Sequence, residues 1–271
     1  MPMRSLPRSP ALLLLAALLA ACDDKPAATA DAGVDAGAAL PPPAPEAAAA
    51  ASATADNADA TPLRKKRTGP CPKDATVTFD DPTLETVVRR QLQQPKGPIA
   101  RADLHKIKTL DIAQAPNDDW LDPCMYAEFT GVKGLYLARG TLDDITPIKG
   151  LTLLESLRIA STVVKDISPL MGLGKMDRLD LSHTPVEDIS PIGSMANLTE
   201  LQLDDTLVAD LSPLGKTRKL EMLSIQNTRV ADLSPIRGLT KLKKLYIAGS
   251  LVKDITAVQS IQGLKIFQTA N

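Results

Sequence analysis

The sequence predicts an α/β solenoid, with short parallel strands stacked along one side and short 3₁₀ turns along the other. A helical cap precedes the array, and a disordered tether precedes the cap. Three observations carry this prediction. From Leu135 onward every class of position recurs at a 22-residue step. Five of the recurring columns are apolar. A corner motif, KDISPL at 165–170, returns as EDISPI, ADLSPL and ADLSPI. A unit of this size cannot enclose a core alone, so neighbours must stack and share one.

The chain has 271 residues and a formal net charge of −1, which gives no bulk attraction to nucleic acid. Residues 1–21 open with Arg4 and Arg8, and the apolar run Ala11 to Ala21 is too short to span a bilayer as a mature helix. This is the pattern of a secretion signal. Its end, Leu19-Ala20-Ala21-Cys22, resembles the lipobox of bacterial lipoproteins. The resemblance implies that Cys22 becomes the lipid-modified first residue, anchored to a bacterial membrane and facing the periplasm or the exterior. The alternative is an ordinary signal peptide cut nearby. Asp23 and Asp24 resemble an inner-membrane retention signal of enteric bacteria, but other lineages sort differently, so the choice of membrane stays open.

Residues 22–70 are dominated by Ala, Pro and Asp, with PPPAP at 41–45 and no aromatic side chain. Such a composition cannot bury enough apolar surface to offset chain entropy. It reads as a disordered tether with a coil span on the order of 40 Å. The run Arg64-Lys65-Lys66-Arg67 closes it, either as a solvated boundary, as a contact for anionic lipid or cell-wall polymer, or as a proteolytic site.

Setting Cys22 aside leaves Cys71 and Cys124. In a chain that matures outside the reducing cytosol, one disulfide is the economical reading. Two unpaired thiols or a metal pair are the alternatives, although His105 and His183 stand far from any zinc-type spacing.

Residues 71–130 read as the cap and a first irregular repeat. Asp81-Pro82 starts a helix whose Leu84, Val87, Val88 and Leu92 share one face. Ile107, Leu110 and Ile112 fit a first strand, and the excess around NDDWLDPCMY (117–126) reads as a loop.

Residues 131–271 are the repeats. Leu135, Leu157, Leu179, Leu201, Leu223 and Leu245 form one inward strand column, and Leu137, Ile159, Leu181, Leu203, Ile225 and Ile247 the next. Columns begun by Leu142, Ile145 and Leu154 complete the set. At each corner Asp166, Asp188, Asp210, Asp232 and Asp254 are placed to bond nearby backbone amides. The Ser-Pro that follows reads as a hydroxyl N-cap with proline at the first helical position. At the far end the 22-residue count puts Phe267 in the buried strand column and Thr269 in the slot of Ile247. The array then stops at a bare edge, which invites weak self-association.

The pattern L-x-L-x-x-T-x-V-x-D-I-S-P-L resembles the 22-residue bacterial leucine-rich repeats of the internalin type, over about 107–271. Val77 to Ile107 resembles the helical N-terminal cap of such proteins, with Ala100 where a hydroxyl often precedes the second helix. One departure is that Gly140, Thr162, Thr184, Thr206, Thr228 and Ser250 stand where the family commonly has Asn. A hydroxyl has fewer donors than an amide, so the expected internal ladder is weaker.

The resemblance implies that the strands line a concave side and that the residues flanking the inward columns face out from it. The central outward column holds Tyr136, Arg158, Asp180, Gln202, Ser224 and Tyr246. Arg178, Glu200 and Lys244 lie beside it, with Asp204 and Gln226 on the other flank and Arg139, His183, Asp205 and Asn227 beyond. These residues are the expected binding face of a membrane-anchored scaffold for a protein, peptide or glycan. The alternative is an envelope structural or assembly component without a specific ligand. Asp180, Glu200, Asp204 and Asp205 fall near one another, which raises calcium, yet no loop motif organises them. His183 near Asp205 lacks a nucleophile and a second histidine. No enzyme activity, cofactor, metal or nucleic acid is expected.

Overall fold

Asp81 starts the cap as its sequence predicts. In this computed structural model, which describes residues 69–115 and 119–269, the Asp81 side chain accepts from the Thr83 amide at 2.8 Å and opens helix α1, Pro82–Leu92. The leader with Cys22, the tether and Arg64 to Arg67 lie outside the described residues. Leu84 and Val88 of α1 are buried, and Val87 and Leu92 pack half-buried beside them. A two-stranded antiparallel ribbon, β1 (Thr76–Val77) and β2 (Ile99–Ala100), flanks the helix. The second helix of the cap is a 3₁₀ helix, Arg101–Lys106, and extended Ala100 before it supplies no side-chain cap.

The first strand of the main sheet, β3 (Thr109–Asp111), is shorter than the sequence predicts, because Ile107 ends the 3₁₀ helix while remaining fully buried. The stretch expected as a loop closes with a helical turn, α2 (Pro123–Tyr126), capped by Asp122 accepting from the Cys124 amide at 2.9 Å. It buries Cys124, Met125 and Tyr126, and Cys124 is bonded to Cys71 across a Cα separation of 5.2 Å.

Seven more strands follow: β4 (Gly134–Tyr136), β5 (Ser156–Arg158), β6 (Arg178–Asp180), β7 (Glu200–Gln202), β8 (Met222–Ser224), β9 (Lys244–Tyr246) and β10 (Lys265–Phe267). With β3 they form one parallel sheet in chain order. Leu135, Leu157, Leu179, Leu201, Leu223 and Leu245 are mutual register partners along it. Each is the middle residue of three, so it points to the core while its neighbours point out.

The two ends of the sheet differ. At β3 the Gln91 side chain of α1 bonds the Thr109 carbonyl, so the helix covers that edge. At the other end the last coil is one residue shorter than counting predicts. Leu242 and Leu245 are separated by two residues, but Leu264 and Ile266 by only Lys265, and Ile266 is the partner of Leu245. Phe267 therefore leaves the buried column assigned to it and pairs with Tyr246 in the outward one. Gln268, not Thr269, follows into the next slot. Val252, Ile255, Leu264 and Ile266 are only half-buried there.

The opposite side carries six 3₁₀ turns, starting at Thr146, Ser168, Ser190, Ser212, Ser234 and Thr256. The cap position of each is Ile or Leu with no side-chain bond, not the expected serine, and the aspartate one residue earlier bonds the backbone as the sequence predicts. Asp144, Asp166, Asp188, Asp210, Asp232 and Asp254 each accept from the amide two residues on at 2.8 Å. A charged carboxylate is a better acceptor for that amide than a hydroxyl. Serine thereby becomes the first residue of the turn and proline the second.

Two further apolar columns, begun by Ile148 and Leu151, are also buried. In the second, Thr217 is fully buried and donates to the Leu214 carbonyl at 2.8 Å. The buried hydroxyls of Thr162, Thr184, Thr206 and Thr228 each donate to the carbonyl three residues back at 2.6–2.9 Å. They close their own coil. The coil-to-coil ladder, expected to weaken without Asn, is carried by main chain: Ser161, His183, Asp205 and Asn227 amides donate to the next coil at 2.7–2.9 Å.

Candidate functional site

The outward positions of β4–β10 form an open face whose side chains are not needed to fill the core. At the last position of each strand stand Tyr136, Arg158, Asp180, Gln202, Ser224, Tyr246 and Phe267. The Tyr136 ring folds back over Gly134, where an added Cβ would lie 3.3 Å from it. Arg158 Nε sits 3.3 Å from Asp180 Oδ2, while Asp180 Oδ1 accepts from the Ser182 amide at 3.0 Å. Tyr246 and Phe267 stack with centroids 4.5 Å apart and planes 12° from parallel.

The flank where the chain leaves the strands is committed to holding the coils together. Ala138 and Ala160 are buried. Asp204 Oδ1 accepts from the Ser224 hydroxyl at 2.6 Å and the Gln226 amide at 2.8 Å, and its Oδ2 accepts from the Gln226 side chain at 3.3 Å. Asp204, expected to meet a partner, is thus a brace between two coils.

The next column is a turn with left-handed backbone, a feature that column counting does not predict. Ser161, His183, Asp205 and Asn227 have φ of 59°, 57°, 54° and 54°, and Gly249 follows at 69°. Asp and Asn tolerate this region and glycine is free to enter it. The signal lay in the run Asp205, Asn227, Gly249. At Gly249 a Cβ would come 2.0 Å from Asn227 Oδ1, so a larger residue there would have to displace the Asn227 side chain. Asp205 accepts from the Asn227 side chain at 3.0 Å and lies 3.3 Å from His183 Nδ1, so His183, Asp205 and Asn227 form one polar rung series. Arg139 holds the same column by spacing and is exposed, but its backbone is not left-handed.

The four central carboxylates therefore do not converge. Asp180 is held by Arg158 and the Ser182 amide, Glu200 faces Arg178 at 3.8 Å, and Asp204 and Asp205 belong to the exit turn. Among the described residues no three His, Cys, Asp or Glu side chains group as a metal site.

On the entry side of the strands an open groove of about 460 Å³ crosses four coils. Arg178, Glu200, Met222 and Lys244 line it from the sheet, and Asp177, Thr199, Glu221 and Lys243 from the residue before each strand. Asp177, Thr199 and Glu221 were missed by the sequence reading, although they recur at the same spacing as Lys133 and Glu155. Thr199 Oγ1 donates to Asp177 Oδ1 at 2.6 Å, Lys243 Nζ meets Glu221 Oε2 at 2.7 Å, and Lys133 Nζ meets Glu155 Oε1 at 2.8 Å. The Lys243 hydrogen bond and charge hold the Glu221 carboxyl below its ordinary range.

Residues 218–260 match the family model described as Leucine Rich repeats (2 copies). Solved structures similar to the chain include an internalin from Listeria monocytogenes, 25% identical with a TM-score of 0.59, covering 71% of this chain and 63% of that one. This chain thus spans less than two thirds of that internalin. Internalin C2 from the same organism is 25% identical with a TM-score of 0.64, covering 76% of this chain and 100% of that one. A leucine-rich repeat protein from Leptospira interrogans, 18% identical with a TM-score of 0.56 and covering 62% of this chain and 45% of that one, shares the fold. No curated protein matches in sequence. The described residues form a leucine-rich repeat solenoid, with Listeria internalins among its structural neighbours.

Proposed function

We propose that the repeat domain is a recognition scaffold that captures a protein partner on its open sheet face, held at a bacterial membrane by lipid on Cys22. The observation that supports the first part is internal to the chain. Core columns keep an apolar residue in nearly every coil, Thr217 being an exception, whereas the first outward column changes from Ser156 to Arg178, Glu200, Met222 and Lys244. Folding does not fix those identities, so they are free to serve a partner. The membrane part rests on the signal sequence and on Leu19 to Cys22, and it places the domain outside the cytoplasm.

Photo-crosslinking in intact cells tests the scaffold. A photoreactive residue at Gln202 yields a discrete protein adduct, and one at exposed Gly150, beside the 3₁₀ turns, does not. Equal labelling from both positions overturns the reading. Cys22→Ser abolishes fatty-acid incorporation and membrane association if the anchor is real. The competing reading is a self-associating envelope component, favoured by β10, which among the described residues pairs with β9 alone. Concentration-dependent sedimentation of the full chain, lost on Ile266→Pro, supports that alternative.

A further inference from the structure

We propose that the entry-side groove selects an extended acidic segment of the partner, with two carboxylates four residues apart and an apolar residue midway between them. This rests on the protein-binding reading above and specifies the chemistry of the partner.

The charges lining the groove are not equally available. Glu221 is engaged by Lys243 at 2.7 Å and Asp177 by the Thr199 hydroxyl at 2.6 Å. The cations at its two ends are less tightly held. Arg178 makes two long ion pairs, 3.7 Å to Asp177 and 3.8 Å to Glu200, with no hydrogen bond to either, and its side chain is 62% exposed, so its guanidinium N–H donors remain to be used. Lys244 is exposed, with no ion pair or side-chain hydrogen bond to its ammonium among the described residues, and its register partner on β10 is another lysine, Lys265. Like charges directly opposite each other are destabilising. An incoming carboxylate relieves this pair.

The centre of the groove has the opposite preference. Glu200 repels an acid placed over it, and Met222 beside it offers a half-buried thioether, which adapts to apolar side chains of different shape. No aromatic ring lines the groove, so a sugar has nothing to stack on. This favours a peptide over an anionic glycan.

Spacing completes the pattern. Arg178 and Lys244 are three strand steps apart, about 14 Å at ~4.8 Å per step. An extended peptide advances ~3.3 Å per residue and returns to the same face every second residue. Carboxylates at i and i+4 therefore span about 13 Å, with residue i+2 between them on the same face. The motif is acid–x–apolar–x–acid.

The test measures binding of the fluorescently labelled peptide Ala-Glu-Ala-Leu-Ala-Glu-Ala to the full chain by anisotropy. Binding weakens about tenfold with Arg178→Glu and again with Lys244→Glu, and falls with added salt. It is lost when the two Glu of the peptide become Lys or are moved to adjacent positions, and it survives Tyr136→Ala, outside the groove. Arg178→Gln with Lys244→Gln provides a second reading that does not reverse charge, and thermal melts check that each variant folds. The proposal is overturned by absence of binding up to ~1 mM, by equal binding of the Lys peptide, by variants that fold but bind unchanged, or by polygalacturonate displacing the peptide while the peptide pattern has no effect. If the peptide fails while crosslinking at Gln202 still captures a protein, the scaffold reading stands and the groove is not its selective site.

Discussion

Two buried hydroxyls two columns apart should respond to deletion with opposite signs. Thr206 is 3% exposed, and its Oγ1 donates to the Leu203 carbonyl at 2.7 Å. Thr206→Val keeps the shape and removes that donor, which leaves a buried carbonyl underbonded at a cost of about 1–3 kcal/mol. The added methyl returns up to ~0.8 kcal/mol, so the net loss is between a few tenths and about 2 kcal/mol. Ser182 Oγ is buried with no hydrogen-bond partner. Its column elsewhere holds buried Ala138, Ala160 and Ala248. Ser182→Ala removes a desolvated group that returns nothing, and the expected change is between zero and about 1 kcal/mol of stabilisation. Urea titration of the purified chain reads both. The Thr206→Val midpoint falls by roughly 0.5 M with unchanged slope, and that of Ser182→Ala stays or rises. A Thr206→Val variant as stable as the parent, or a Ser182→Ala variant as damaged as Thr206→Val, refutes the assignment of the threonine column as the closure of each coil.

Other outcomes follow from the same geometry. Leu201→Ala empties a fully buried site in the middle of the spine and should cost about 3–5 kcal/mol, read as a large fall in the urea midpoint. Reducing the Cys71–Cys124 bond, which closes a sequence separation of 53, should remove up to roughly 4 kcal/mol in the chain-entropy model, read by melting with and without reductant. Hydrogen bonds from Ser190, Ser212, Ser234 and Thr256 hold the carboxyls of Asp188, Asp210, Asp232 and Asp254 below their ordinary value of 3.8, and Lys243 does the same for Glu221 below 4.5. Their contribution is complete above those ordinary values and is lost as pH falls below them through the lowered ones. Urea midpoints should therefore drop between pH 5 and pH 2 by less in Asp188→Asn/Asp210→Asn/Asp232→Asn than in the parent.

What was legible in the sequence is what every coil has to repeat. The inward leucines, the corner aspartates and the start of α1 at Asp81 each answer a physical demand that a short pattern states completely. The last coil was misread because a fixed count cannot see a single deletion, and Lys265 stands alone where Lys243 and Lys244 stand together one coil earlier. The corner serine was misread as the cap because Asp and Ser both bond backbone amides, and only geometry decides which one reaches the amide. The site was legible as a set of columns but not as chemistry. Spacing places Asp204 on the surface, yet cannot say that Ser224 and Gln226 of the next coil already occupy its oxygens.

Recurrence within the chain separates structure from recognition, because each coil repeats the folding problem of its neighbours. Where the residue class is constant, as at the corner aspartates, one local demand accounts for it, and here that demand is a single amide bond in every coil. Where the class changes, adjacent side chains can still be tied to each other, as Arg158 is to Asp180 and Lys243 to Glu221. Such pairs account for their own variation, since exchanging charge between coils leaves the pair intact. The residues left over are those that vary and have no close partner. On the open face Lys244, which faces Lys265, is one, and Arg178 comes near it, since its two ion pairs are long at 3.7 and 3.8 Å. Neither stability nor pairing explains Lys244, and the acidic segment proposed above is the account that the peptide titration tests.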